Sequence, residues 1–392
     1  VGIGGIGLIS SIALILLFWI FLFVLTHGAQ RLSWDFLIGD YHPKILNTRF
    51  DESLPNDEFE RPVSLPEDVW FSKMWGVGFR DAVDHQGNPV LLVAYVDPDS
   101  PFTRLTDKNR EGQNAVVETG QTVVKVIFGG NVILYANDGA QTAVRMFDQA
   151  EQIKDMITST AGGGIRGSIW TTLLLIVLTL AIALPFGIFS AVFLHEFASR
   201  THPVVRILRR LIDMLAGMPS IVFGLLGAAV FIPFVSTFTA AKGGNLISGA
   251  LTLSVIVLPL IISSTEEALS AVPDDFRLSS LALGANKTQT TFKVVLKSAV
   301  PGVLAGTLLA IGRIIGESAA LIYAIGTAIK DEIFLTERST SLAVHIWSVM
   351  SGEVPDFETA SAISLMILFV VLVLSLGVKM IAKKFMVDPS LR

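Results

Sequence analysis

The 392-residue sequence has no cysteine, so no disulfide, thiolate metal site or cysteine nucleophile is open to it. Charge is also scarce: Asp, Glu, Lys and Arg make up 16% of the residues against 52% apolar side chains, and the mean hydropathy is +0.63. Few soluble domains are this apolar, which makes the chain an integral membrane protein. No G-x-x-x-x-G-K-[ST] phosphate loop occurs, including around 162–167 and 284–287, so any nucleotide-driven work needs a separate protein. His195-Glu196 begins like a zinc-protease motif, but Ser199 stands where the second histidine belongs. A nucleophile elbow and metal-ligand spacing are missing too. The expectation is a chain that is not an enzyme and carries no cofactor of its own.

What is present is a set of long apolar runs near 6–25, 168–194, 212–238, 246–264, 300–326 and 361–382. Each is long enough for a hydrocarbon core of about 30 Å at about 1.5 Å rise per residue. Six spans are therefore expected, the third made irregular by Pro219 and Pro233. The chain starts at Val1 without a Met, and N-terminal residues are expected to be missing. The first run is too long for a signal-peptide core and has no A-x-A-like site, so it reads as an anchor helix.

The net charge of −5 hides an asymmetry: residues 27–165 hold 20 Asp/Glu against 12 Lys/Arg. That stretch reads as an acidic soluble insertion, unsuited to nucleic acid. Basic residues crowd three segments. Arg200, Arg206, Arg209 and Arg210 follow the second run; Arg277, Lys287, Lys293 and Lys297 follow the fourth; Lys379, Lys383, Lys384 and Arg392 follow the sixth. All three face the cytoplasm together only if both termini are inside and 27–165 is extracytoplasmic.

Within the insertion, 43–68 is Pro- and acid-rich and reads as an irregular connection. Residues 90–96 suit a strand, and 123–128 with 132–136 suit a hairpin around Gly129-Gly130-Asn131. Ala140, Ala143, Val144, Phe147, Ala150, Ile153 and Ile157 recur at three- and four-residue steps and predict one amphipathic helix, broken by Gly162-Gly163-Gly164. The expected organisation is a first transmembrane helix over 1–26, a small α+β insertion over 27–165, and a core of five transmembrane helices over 166–392.

Two places carry chemistry. Arg313 and Glu317 lie in the apolar run 300–325, on one face if that run is a single helix. Arg313 would stand about 18 Å along it from Pro301, near mid-membrane. A buried guanidinium costs at least about 2.5–3.5 kcal/mol there, so it needs a task or a partner. Its planar donor fork suits an oxyanion, with Glu317 moderating the attraction; a structural ion pair pinning two helices is the alternative. The second place is 274–301. Asp274 and Asp275 start a short helix, Gly284 stops it, and Asn286 or Thr288 caps a second helix with an apolar stripe of Phe292, Val295, Leu296 and Ala299. Such a bend can fill a groove on a partner, or be a solvated loop.

Other residues have blander readings. Glu266 and Glu267 suit a solvated helix end, with contact to an ATPase as the alternative, and Glu196 suits an interfacial position. Pro219, Gly224, Gly227 and Pro233 could soften a helix for gating or allow close packing.

Leu278-Ser279-Ser280, Gly284 and Val294-Val295-Leu296 are similar in spacing to the E-A-A-x3-G-x9-I-x-L-P loop of bacterial ABC-importer permeases. Leu278 replaces the Glu of that pattern and Lys297 its Pro. Leu32-Ser33-Trp34-Asp35-Phe36-Leu37, Gly163-Gly164-Ile165, Ala183-Leu184-Pro185-Phe186-Gly187-Ile188 and Met218-Pro219-Ser220-Ile221-Val222-Phe223-Gly224-Leu225 resemble the PstA-like branch, permeases of the phosphate-specific transport system. Ser264-Thr265-Glu266-Glu267-Ala268-Leu269 and Gly312-Arg313-Ile314-Ile315-Gly316-Glu317 do so as well, although Ser318-Ala319-Ala320 replaces the usual T-A-P. Residues 44–160 carry no such resemblance.

The resemblance implies an all-α six-span permease importing inorganic phosphate by alternating access. It implies Arg313 on the ion's path, where the residues themselves suggest Glu317 as its companion. It also implies a coupling loop at about 266–299 that docks into the ATPase through Asp275, Leu278, Ser279, Ser280, Gly284, Ala285, Phe292 and Leu296. The implied partners are a second permease (PstC-like), an ATPase dimer (PstB-like) holding ATP and Mg, and an extracytoplasmic phosphate-binding protein (PstS-like). A permease for molybdate, sulfate or phosphonate is the nearest alternative. A secondary transporter would need inverted repeats, which are not visible. A membrane receptor would need a cytoplasmic signalling domain.

Overall fold

The computed structural model describes residues 2–50, 58–83, 88–108, 114–160, 162–199, 201–352 and 355–385, with backbone alone at 2–9 and 384–385. Arg200 and Arg392, and the side chain of Lys384, lie outside the described residues. The chain divides into two compact units: Val1–Ile38 with Ile165–Arg392, and Gly39–Gly164.

The first unit is a bundle of transmembrane helices. Among the described residues six are long and apolar enough to span a bilayer: Ser10–Gly28, Arg166–Phe197, Ser220–Phe238, Leu246–Ser270, Lys287–Gly316 and Phe357–Lys383, referred to as spans one to six. The fourth is the most buried, and Leu253, Val257 and Ile261 pack there with Leu175 and Ala183 of span two and Ala310 and Ile314 of span five. Lipid supplies no hydrophobic drive between helices, so close approach has to come from small residues and polar contacts. A Cβ on Gly306 would stand 2.0 Å from Ser264 Oγ, which shows how tightly spans five and four meet. At the other end, Ser168 bonds His345 at 2.9 Å, Thr171 bonds Ser339 at 2.5 Å, and Thr172 accepts from the amide of Leu342 at 2.9 Å. These bonds tie span two to the segment between spans five and six.

Two expected spans are redrawn. The third begins at Ser220, not 212, because Pro203–Ala216 is a separate amphipathic helix ended at Gly217, where Pro219 disfavours helical backbone in the residue before it. Span three keeps Pro233 by widening into a π turn at Gly227–Phe231 just before it. The fifth span ends at Gly316, short of the expected 326.

The Gly39–Gly164 unit is richer in strand than its sequence suggests. Nine described strands form one sheet: β1 Ile45–Arg49, β2 Trp70–Ser72, β3 Val77–Val83, β4 Pro89–Val96, β5 Leu105–Asp107, β6 Asn114–Ala115, β7 Thr122–Phe128, β8 Ile133–Tyr135 and β9 Ile153–Ser159. The order is β2-β3-β4-β7-β9-β1-β5-β6, with β8 on β7 and every pairing antiparallel. The β7–β8 turn uses Gly130 at φ 76° and Asn131 at φ 64°, as a tight hairpin requires. The expected amphipathic helix covers only Ala140–Gln149, since Ala150 turns extended and Ile153 and Ile157 belong to β9. β9 is central, so its apolar spacing obeys the sheet and matches a helical period by coincidence. β1 likewise falls in the expected irregular stretch 43–68, held there by pairing with β9 from Ile45↔Ser159 to Arg49↔Asp155. Trp75, Phe79, Phe102 and Phe147 fill the core between sheet and helix, with the Phe79 and Phe147 rings 4.9 Å apart.

Candidate functional site

The first place of interest is the break after span five. The expected single helix over 300–325 ends at Gly316; Glu317 is extended (φ −80°, ψ 116°) and a short helix resumes at Ala319–Ala324. Gly316 and the polar pair Glu317-Ser318 are the signal for the break, unnoticed inside an otherwise apolar run. Arg313 thus sits in a last helical turn, where free carbonyls favour a cation, and not at mid-helix. Glu317 has turned inward: its Oε1 accepts from the Ala320 amide at 3.2 Å, and its Oε2 stands 3.6 Å from Arg313 Nη2. The two side chains differ sharply in exposure, 52% for Arg313 and 6% for Glu317.

A half-exposed guanidinium on an apolar helix cannot face hydrocarbon cheaply. The exposed surface it shares with Ala305, Leu309, Gly312 and Gly316 is therefore better suited to water or another protein than to lipid. Outward guanidinium N–H groups have the geometry to meet an anion, and the buried carboxylate beside them offsets part of the charge.

The second place is 274–299. Asp274–Ala282 forms a helix with both aspartates in its first turn, Gly284 reverses the chain at φ 88°, and Asn286 caps the next helix in a reciprocal box with Gln289. Ser280 and Thr290 hydroxyls bond at 2.9 Å across the bend. The second helix is not separate. It runs through a π turn at Thr291–Val295 straight into span five, with Pro301 inside it.

This alters which face is sticky. Val295 and Ala299 are buried against Leu269 and Val272, with Leu296 half-buried beside them, so the expected outward stripe belongs to the protein's own core. Of that stripe Phe292 stays exposed, its ring 6.3 Å from Phe189. The outward apolar residues are instead Phe276, Leu278 and Leu281 on the first helix and Leu283 just after it. Asp275, Ser279 and Gly284 are exposed with them, while Ser280 and Ala285 are half-buried.

Ion pairs knit this end of the bundle. Glu196 Oε1 accepts from Arg277 Nη2 at 2.8 Å. Glu266 is no solvated helix end: Arg209 Nη1 donates to its Oε2 at 2.9 Å, and Arg209 Nη2 donates to the Leu194 carbonyl at 2.8 Å. Glu267 is exposed. Sequence reading missed both pairs, since their partners lie 81 and 57 residues apart. Gly224 and Gly227 serve close packing: a Cβ at Gly224 would stand 2.7 Å from Ala320 Cα, and one at Gly227 2.3 Å from Thr252 Oγ1.

Residues 183–387 match the family model described as binding-protein-dependent transport system inner membrane component. The chain is 34% identical over 234 residues to the probable ABC transporter permease protein YqgI of Bacillus subtilis, covering 56% of this chain and 78% of that protein. It is 35% identical over 185 residues to the phosphate transport system permease protein PstA of Mycobacterium leprae, covering 47% and 59% respectively. A solved inward-facing structure of the MetNI methionine ABC transporter is similar at 18% identity with a TM-score of 0.45, covering 57% of this chain and 96% of that one.

Proposed function

Because the chain belongs to the family of binding-protein-dependent transport system inner membrane components, and is thus a transport component and not an enzyme, we propose that it is the permease of an ATP-driven importer of inorganic phosphate. The observation that carries this reading is the half-exposed Arg313 on an apolar span, held against the buried carboxylate of Glu317. The name of the Mycobacterium leprae relative supports phosphate as the ion.

In this reading both termini are cytoplasmic and the Gly39–Gly164 unit is extracytoplasmic, where it contacts the phosphate-binding protein (PstS-like). A second permease (PstC-like) covers the Arg313 face. Two ATPase subunits (PstB-like), which hold ATP and Mg, receive the bend at 274–286 through Asp275, Leu278, Ser279 and Gly284. ATP binding closes the ATPases, and the bend passes the movement to span five, into which it runs without a break.

The test is uptake by the complex reconstituted in vesicles with its binding protein. Phosphate should accumulate with ATP, and excess molybdate, sulfate or phosphonate should leave that uptake unchanged. Accumulation of one of those ions in place of phosphate would overturn the assignment.

A further inference from the structure

Span two touches the coupling segment at Arg277, Lys287 and Phe292, although in sequence that segment joins spans four and five. Arg277, next to Leu278, is the centre of the contact. Its Nη1 donates to the Val272 carbonyl at 2.7 Å and to Asp274 Oδ1 at 3.2 Å. Its Nη2 donates to the Leu269 carbonyl at 2.9 Å and to Glu196 Oε1 at 2.8 Å. One guanidinium therefore binds the carbonyl end of span four, the start of its own helix and the last turn of span two. Both side chains are largely buried, at 18% and 9% exposure, and without Glu196 the guanidinium keeps Asp274 and two carbonyls but loses its tie to span two.

Two further contacts join the same elements. Lys287 Nζ lies 5.3 Å over the Phe197 ring, and the Phe292 ring stands beside Phe189. Each of these contacts uses one residue of a π turn, Phe197 in Phe193–Phe197 and Phe292 in Thr291–Val295, and such local widenings of a helix recur at functional positions.

We propose that Glu196 and Arg277 are positioning residues that clamp span two to the coupling segment, so that the ATPase stroke moves spans two, four and five as one body. This rests on the reading that 274–286 docks on an ATPase. A mere staple for folding would hold the same atoms together but would not set how much transport each ATP delivers.

The complete complex in vesicles tests it, with Glu196→Gln, which keeps the side-chain shape and removes the charge, and Glu196→Asp, which keeps the charge. ATP hydrolysis should stay at the unsubstituted rate in both. Uptake per ATP should fall roughly fivefold in Glu196→Gln, within the range of substitutions in coupled networks, and recover largely in Glu196→Asp. Spin labels at Phe193→Cys and Ala282→Cys, both exposed and outside the proposed docking residues, in a chain free of native cysteine, give a readout independent of the ion carried. Their separation should hold through the ATP cycle, and change on ATP addition only once Glu196→Gln is also present.

Cross-linking of Leu278→Cys to the ATPase separates the two ideas. If it forms and Glu196→Gln keeps normal uptake per ATP, docking stands and the clamp is overturned. If no cross-link forms, the docking reading falls and the clamp with it. Should Glu196→Gln fail to assemble, Arg277→Lys, which keeps the charge but loses the fork, reads the same ratio; an unchanged ratio overturns the clamp.

Discussion

Glu317 faces Arg313 with one carboxylate oxygen and holds a first-turn amide of the next short helix, that of Ala320, with the other. The carboxylate thus has two tasks that substitution can separate. Glu317→Gln keeps an oxygen for the amide and removes the charge that offsets Arg313. Anion affinity should rise and release should slow, so KM and kcat of uptake both fall. Arg313→Gln removes the anion's donor fork and should abolish uptake with normal membrane insertion. Unchanged uptake by Arg313→Gln would leave the pair a helix pin.

His345 is buried outside the six spans, with Nδ1 2.9 Å from the Ser168 hydroxyl. Burial lowers its pKa from the ordinary 6.5 to about 4. The unfolded chain therefore takes up a proton as pH falls through 6.5, while the native chain does so only near 4. Stability should be flat above that window and drop across it, by up to about 3 kcal/mol at about 1.36 kcal/mol per pH unit. Thermal unfolding in detergent against pH reads this, and His345→Gln should flatten the slope.

Gly224 lies where span three crosses the short helix after Glu317. Gly224→Ala would put a methyl 2.7 Å from Ala320 Cα and 2.8 Å from its carbonyl oxygen. Backbone has to move, at a cost of about 1–3 kcal/mol typical of overpacking. The shift falls on the helix that Glu317 caps, so both melting temperature and uptake should drop. Gly312→Ala, which meets nothing within 4 Å, is the stability control and should leave the melting temperature unchanged or slightly higher.

Local chemistry was legible in the sequence and long-range pairing was not. Gly284, Asn286 and the Gly129-Gly130-Asn131 turn announce themselves because a left-handed residue or a cap is decided by the residue itself and its nearest neighbours. Ile153 and Ile157 misled because a four-residue step fits the two-residue period of a strand as well as the 3.6-residue period of a helix. The break at Glu317 was hidden because apolar content measures length across a bilayer, not continuity of backbone. Val295, Leu296 and Ala299 do form a stripe, but a stripe does not say whether its partner is another chain or Leu269 and Val272 of the same one.

Gly284 offers a way to weaken the bend without touching the bundle. Its φ of 88° is left-handed, and no atom stands within 4 Å of where a Cβ would go. The cost of Gly284→Ala is therefore backbone strain alone, about 1–2 kcal/mol for an L-residue in that region. The strain falls on the turn between Asp274–Ala282 and Lys287–Thr290, far from the packed centre of span four. The melting temperature of the bundle should hold, since unfolding of its core does not need the turn. The proposed docking needs Asp275, Leu278 and Ser279 presented together, so affinity for the ATPase should fall roughly five- to thirtyfold at about 1.4 kcal/mol per decade. A pull-down titration of the ATPase against the detergent-solubilised permease measures it, and an unchanged dissociation constant would mean that the bend is not what the ATPase grips.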